Sequence, residues 1–467
     1  MKRLTGVAAA VLLGLSMPAM ADLNDDVEAL KQQVRELQKK TGGNHLNFSV
    51  DYRVSMDNIE YELADGSTAS NDDLLANRLW LNMGYQYNEK LLFRGQLAYN
   101  KAFGDTAMHN QRNESGYADF DWVVSENLDD NTIKVKQAYF LYLGDAFFGN
   151  EQLPWTFSLG RRPSTTGFLA NHREGFDKAN SPLGHSINVE FDGLSLNLRL
   201  EELTGLTGNA LKFCAGRGLS NATSRFSPAG TDYAKDPDKT DDIDMVGIIF
   251  TPYNDGQYDV KLQAYHANNM IGLDMNDIMM TGEQTFYDFG DLNNVTLSAE
   301  MNGVGEFIND FLDGTRLFAS VSMSQTDPNS DMAMLGSTED ERGYSYWLGV
   351  NVPGFFDDDS FGFEFNHGSK YWRSFTYGED TMIGSKIAAR GDAYEAYYNL
   401  PLVDKALTLQ LRYTYIDYDY TGSNGFFGNA TGTPMRIDDA WQMAQMMGMP
   451  PPVKNAQDIR AVIRYQF

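Results

Sequence analysis

The 467-residue sequence predicts a transmembrane antiparallel β-barrel of 16 or 18 strands preceded by a short helix, and three observations point there. From Leu46 to Phe467 apolar residues recur with a period of two, in about 17 segments separated by turn residues. Several segments alternate for ten or so residues, the length that crosses a bilayer at a tilt. Tyr and Trp gather near segment ends as an aromatic girdle requires, and connections alternate between short and long. Stacked soluble sheets would share the alternation but not the other two features.

Residues 1–21 read as a secretory signal. Lys2 and Arg3 precede an apolar run, and Ala19-x-Ala21 supplies a cleavage site before Asp22. The run is too short for a spanning helix. Losing those two cations takes the formal charge from −27 to about −29. Such a charge argues against nucleic acid as a partner. A single cysteine, Cys214, leaves no disulfide framework.

Residues 22–43 follow as an amphipathic helix. Leu23, Val27, Leu30, Val34 and Leu37 form a heptad seam that Gly42 and Gly43 end. Two readings stand: a helix docked on its own chain, or a periplasmic coiled coil that promotes a homo-oligomer, a trimer by expectation.

The barrel is assigned to 44–467. "LNFSVDYRVSM", "RLWLNMGYQY", "LSLNLRL" and "LTLQLRYTYIDY" each place apolar residues on one face and polar ones on the other. Short turns are expected at 88–90, 192–193, 254–256 and 399–405, and long loops over 57–75, 102–131, 163–184, 269–291 and 419–455. Short turns on one side demand an even number of strands between them. Only three strands are legible between Asp192 and Asn254, so one is misread or hidden near 218–241, which leaves 16 or 18. The last strand, "DIRAVIRYQF", closes against the first and removes both open edges.

The stretches "NRLWLNM", "KAFGDTA", "GYADFDWV", "LGRRPSTTGFL", "SPLGHSINVEFDG", "CAGRGL" and "DIDMVGIIFTPY" resemble a bacterial outer-membrane barrel family catalogued as a domain of unknown function. The helix, barrel and terminal Phe together resemble trimeric porins. That resemblance implies an outer-membrane location in contact with lipid. It also implies that Tyr465 and Phe467 are the terminal aromatic signal read by the barrel assembly machinery. It transfers no functional residue.

With the apolar face toward lipid, the opposite face carries Arg53, Arg78, Arg94, Arg199, Arg412, Arg460 and Arg464, with Asp51, Glu190, Glu364 and Asp458. These form a net basic lumen that favours anions, or they pair with carboxylates and stiffen the wall. The segment "GRRPSTTGFLANHREGFDKANSPLGHS" brings Arg161, Arg162, His172 and Arg173. It folds inward as a constriction or stays outside as a plain loop.

No catalytic set, metal site or cofactor is expected. The six His lack a zinc spacing, and His185 and Ser186, read as adjacent strand residues, point to opposite faces and cannot form a dyad. No Cys-x-x-Cys-His exists for covalent haem, so electron transfer would need separate cytochromes as partners. Met443, Met446, Met447 and Met449 suit a soft metal or serve as pliable filler. The reading is a channel for passive diffusion of small hydrophilic solutes, leaning to anions; the rival is a non-conducting barrel whose loops bind surface partners, and an outer-membrane enzyme comes third.

Overall fold

A computed structural model describes residues 46–103, 132–176, 178–222, 230–235, 240–273, 280, 282, 286–305, 307–330, 332–356, 358–423 and 432–467. The signal and helix assignments over 1–43 lie outside these residues, as does most of the expected loop at 102–131.

Sixteen strands close into one antiparallel barrel. They run β1 (Asn47–Leu63), β2 (Thr68–Gln86), β3 (Leu91–Ala102), β4 (Lys134–Gly144) and β5 (Trp155–Arg162). A parallel pair of short strands outside the barrel wall, β6 (Gly167–Phe168) and β7 (Asn180–Leu183), interrupts the series. The wall resumes with β8 (Phe191–Arg199), β9 (Ala210–Leu219), β10 (Ile243–Asn254), β11 (Tyr258–Leu273) and β12 (Phe286–Asn302). It ends with β13 (Arg316–Pro328), β14 (Arg342–Pro353), β15 (Ser360–Gly368), β16 (Gly391–Val403), β17 (Leu407–Tyr418) and β18 (Val453–Gln466). β1 pairs with β18, with Tyr52 opposite Tyr465 and Arg53 opposite Arg464. Beyond the strand, Phe467 and Val50 exchange two backbone hydrogen bonds, of 3.0 and 3.1 Å. No edge is left open, which is the condition for strands in lipid.

The burial pattern is inverted relative to a soluble sheet. On β18 Asp458, Arg460 and Arg464 are buried while Ile459, Ile463 and Tyr465 are exposed. On β13 Ser320, Ser322 and Ser324 are buried while Leu317 and Val321 are exposed. An apolar exterior around a polar interior belongs to a barrel whose outer solvent is hydrocarbon. Exposed Tyr142, Tyr253, Tyr258, Phe355, Tyr465 and Phe467 sit near the short-turn end, the position of an interfacial aromatic girdle.

Three sequence expectations change. Asp192 and Gly193 form no turn: they pair within β8 with Arg161 and Gly160 on one side and Arg217 and Gly216 on the other. Gly193 is needed for close backbone approach, since a Cβ there would strike the Ala215 carbonyl. The real turn lies at 200–209, which leaves β9 and β10 before the next one and restores the even count. The stretch 57–75 is largely ladder, with Glu62 opposite Thr68 and only 64–67 turning. Its polar outer face reads as loop because these long strands continue past the apolar belt. For the same reason β11 and β12 pair out to Leu273 and Phe286, inside the stretch expected to be loop.

Candidate functional site

Two connections on the long-loop side fold into the lumen. The first, 163–190, carries β6 and β7. His185 anchors it by hydrogen bonds to Ser320 Oγ (2.7 Å) and Ser345 Oγ (2.8 Å) on the wall. Burial pushes the His185 pKa down to about 3, so the ring stays neutral. Since His185 and Ser186 lie in this loop, the opposite-face argument against a dyad does not apply to them. His185 spends both ring nitrogens on wall serines instead.

At the tip, His172 Nε2 lies 2.6 Å from Glu300, and Arg316 meets its Nδ1 at 2.7 Å. Arg173 reaches Glu379 of the 369–390 connection at 3.1 Å and Glu395 of β16 at 3.3 Å. Gln410 donates to the Arg173 carbonyl at 2.8 Å and Arg464 to the Glu174 carbonyl at 2.6 Å.

The second connection, 369–390 between β15 and β16, is an inward loop that the sequence reading did not identify. Phe375 N–H donates to the Ser186 carbonyl at 2.9 Å, and Gly378 N–H to the Asn188 carbonyl at 2.6 Å, so the two loops touch. Ile187, Val189 and Phe375 share a buried apolar cluster with Tyr265, Met270 and Phe289. Arg390 ties the loop to the 419–452 connection through the carbonyls of Thr421 (3.0 Å) and Gly432 (2.7 Å).

These loops supply Glu174, Glu379 and Asp380, which join carboxylates of the wall itself around the wall arginines. Asp380 accepts from Arg53 Nη2 at 2.8 Å, and Arg460 and Arg412 lie 3.3 and 4.0 Å away. Arg460 also pairs with Asp57, and Arg464 with Asp51 (2.9 Å). Arg78 sits 3.9 Å from Asp51 with its guanidinium 3.7 Å over the Trp80 ring. Lys386 joins Glu364 (2.7 Å), Glu379 and Glu395. Burial by itself would raise the Asp380 pKa; the Arg53 and Arg460 guanidiniums outweigh it and hold the carboxyl well below its ordinary range. Glu174 is also lowered: burial and Asp380 push it up, and Arg173, Arg412 and Arg53 prevail. Of the proposed pore-lining residues, Arg53, Arg78, Glu364, Arg412, Arg460 and Arg464 are thus buried in this ionic packing. Glu190 is no wall residue; it lies in the first loop, 3.1 Å from Lys136.

The wall from β3 to β9 is different. Arg94 and Arg199 are exposed near the short-turn end and Arg162 faces inward; none has a carboxylate partner among the described residues. The same holds for Lys212 on β9 and Lys178 on the first loop. Arg162 and Lys212 are close enough to repel, and Tyr139 lies within electrostatic reach of Arg94 and Arg162. Arg161 and Arg162 belong to β5 rather than to the loop, and register places Arg161 on the outward face with Asp192, 3.5 Å away. Of the four expected constriction residues, only His172 and Arg173 occupy the inward loop.

Two cavities open at the short-turn end. One of about 670 Å³ is lined by Asn82, Gln96, Lys136, Lys178 and Gln466. The other, about 640 Å³, is lined by Asn171, Lys178, Asn197, Lys212 and Arg316, so Lys178 borders both. Among the described residues no group of three or more His, Cys, Asp or Glu could hold a metal ion. Met443, Met446, Met447 and Met449 are exposed on and just after the Ile437–Met447 helix, so they fill no core; Asp359 caps its own turn by accepting from Phe355 and Phe356 N–H at 3.0 Å.

A family model described as Protein of unknown function (DUF3373) matches residues 68–467. No curated protein gives a match. Among solved structures, the anion-selective porin from Comamonas acidovorans is similar at 11% identity and a TM-score of 0.50, over 91% of this chain and 100% of that one. Pseudomonas putida OprB aligns at 15% identity and a TM-score of 0.47, over 94% and 97%. Salmonella typhi OmpF aligns at 13% and 0.44, over 91% and 99%. The first of these shows a shared fold, the bacterial outer-membrane porin barrel, and at such identity nothing finer.

Proposed function

We propose that this chain, which belongs to the family described as Protein of unknown function (DUF3373), is an outer-membrane channel that passes small hydrophilic solutes by passive diffusion and favours anions. The supporting observation is the set Arg94, Arg162, Lys178, Arg199 and Lys212, without carboxylate partners among the described residues, of which Lys178 and Lys212 line cavities inside a barrel that is apolar outside. Cations projecting into a narrow lumen set the sign of its field, and they act at shorter range than acidic loops screened by bulk salt. The role is non-enzymatic. The test is single-channel recording in planar bilayers with reversal potential across a potassium chloride gradient near physiological salt. Anion preference supports the reading; cation preference overturns its selectivity.

A second reading, a non-conducting barrel whose loops bind partners, draws on the contact between the two inward loops across the lumen. Absence of conductance steps from correctly folded protein would decide for it. We further assign residues 22–43 the task of strengthening a trimer. Deleting them should leave folded barrels with weaker self-association, and a monomeric native mass before any deletion would remove that assignment. Tyr465 and Phe467 are assigned as the assembly signal. Phe467→Ala should reduce the compact, heat-shiftable species on cold gels, and unchanged assembly would withdraw the assignment.

A further inference from the structure

We propose that the cavity of about 640 Å³ beside the first inward loop is a saturable binding site for a small multivalent oxyanion. Only its consequence for transport rests on the channel reading. The volume falls within the range of small-molecule sites. Its charged lining divides into two groups. Asp259 is held through Oδ2 by Lys261 and by Asn254 Nδ2 (2.7 Å), with its Oδ1 making no hydrogen bond, and Glu300 is held by His172 (2.6 Å), so each acid already has a cationic or polar partner. Lys178 and Lys212 have no carboxylate among the described residues, although Lys212 is half-buried and Arg162 repels it.

A half-buried ammonium without a counter-charge, as at Lys212, is unfavourable, and a bound anion removes that cost; exposed Lys178 adds a second positive charge at the rim of the same cavity. Lysine ammoniums act as point charges with rotatable donors, suited to the spread charge of an oxyanion. Side-chain amides of Asn171 and Asn197 and the Arg316 guanidinium line the same space and add donors. A monovalent anion would satisfy one ammonium at a time; a multivalent one satisfies both. Charge number is therefore what the site distinguishes.

The probe is inorganic pyrophosphate, with potassium chloride of matched ionic strength as control. Isothermal titration calorimetry on the purified full-length protein in detergent should show saturable binding. Lys178→Gln/Lys212→Gln should weaken it by at least about tenfold while the heat-shift of the folded barrel is kept. In bilayers the same pyrophosphate should block chloride current saturably in the wild type and not in the double variant. Binding in the calorimeter without any conductance supports the site and removes the channel reading. Chloride-selective conductance with no saturable binding or block overturns the site and leaves the channel reading intact. Equal binding by wild type and double variant would assign the anion elsewhere and also overturn the site.

Discussion

The two sides of the lumen carry the same kinds of cation in opposite states. Along β14–β18, β1 and β2, Arg53, Arg412, Arg460, Arg464 and Lys386 are buried against Asp51, Asp57, Asp380, Glu364 and Glu395. Along β3–β9, buried Lys136 is held by Glu190 at 3.1 Å, but Arg94, Arg162, Arg199 and Lys212 have no carboxylate partner among the described residues. The first side is a buried cluster in which cations and carboxylates alternate at ion-pair distance. The second is a charged surface next to open volume. An arginine in a barrel wall therefore says nothing about selectivity until its partners on adjacent strands and on the inward loops are known. Desolvation and pairing turn the first set into structure, and solvent access leaves the second free to act on solutes.

The largest effect should come from breaking the paired side at its centre. Asp380→Asn leaves Arg53 and Arg460 short of a buried counter-charge, a loss of about 3–5 kcal/mol by analogy with other broken buried pairs. Denaturant unfolding of the detergent-solubilised barrel should register it, and single-channel conductance should rise as the 369–390 loop undocks. Unchanged stability would mean that the cluster does not hold the loop. Next, Arg162→Gln/Lys212→Gln should lower the chloride-to-potassium permeability ratio by about three- to tenfold. Arg464→Gln, on the paired side, should lower stability and leave that ratio unmoved. If Arg464→Gln shifts selectivity as much as the double change, the division between the two sides fails.

A smaller effect concerns pH. Asp380 and Glu174 have docked pKa values depressed by their arginine neighbours despite burial. Their contribution to docking is complete above the ordinary carboxylate value of about 4 and is lost as pH falls through the depressed one. Conductance should therefore be flat from about pH 8 to about pH 5, with loop release only in stronger acid. A transition near neutral pH would show that another group governs docking. The smallest change is expected from Arg199→Gln at the exposed mouth, less than about twofold in selectivity at physiological salt and larger in dilute salt.

Much of this fold is legible in single residues. The inside-out alternation of β18 and the apolar stripe of "LTLQLRYTYIDY" follow from a period of two and lipid as outer solvent. The Gly, Pro and Ser residues of the first loop and its basic tip are compatible with an inward course and equally with an external one. The second loop, "YWRSFTYGEDTMIGSKIAAR", mixes buried aromatics and charges in a way that sequence alone assigns equally to an external loop. Its length between β15 and β16, with Arg373, Glu379, Asp380, Lys386 and Arg390 close together, was the available signal. Arg161 was misplaced because positive φ at Gly160 and the pairing with Asp192 extend β5 through it.

By itself the sequence determined a closed barrel, its lipid-facing stripes and the strand that seals it, because a period of two and turn chemistry are local properties. Tertiary structure alone decided which lumen cations are neutralised. Arg53 and Asp380 stand 327 positions apart, and only the inward course of the 369–390 loop brings them to 2.8 Å. Charge pairing in a low-dielectric interior depends on distance in space, which no local pattern encodes.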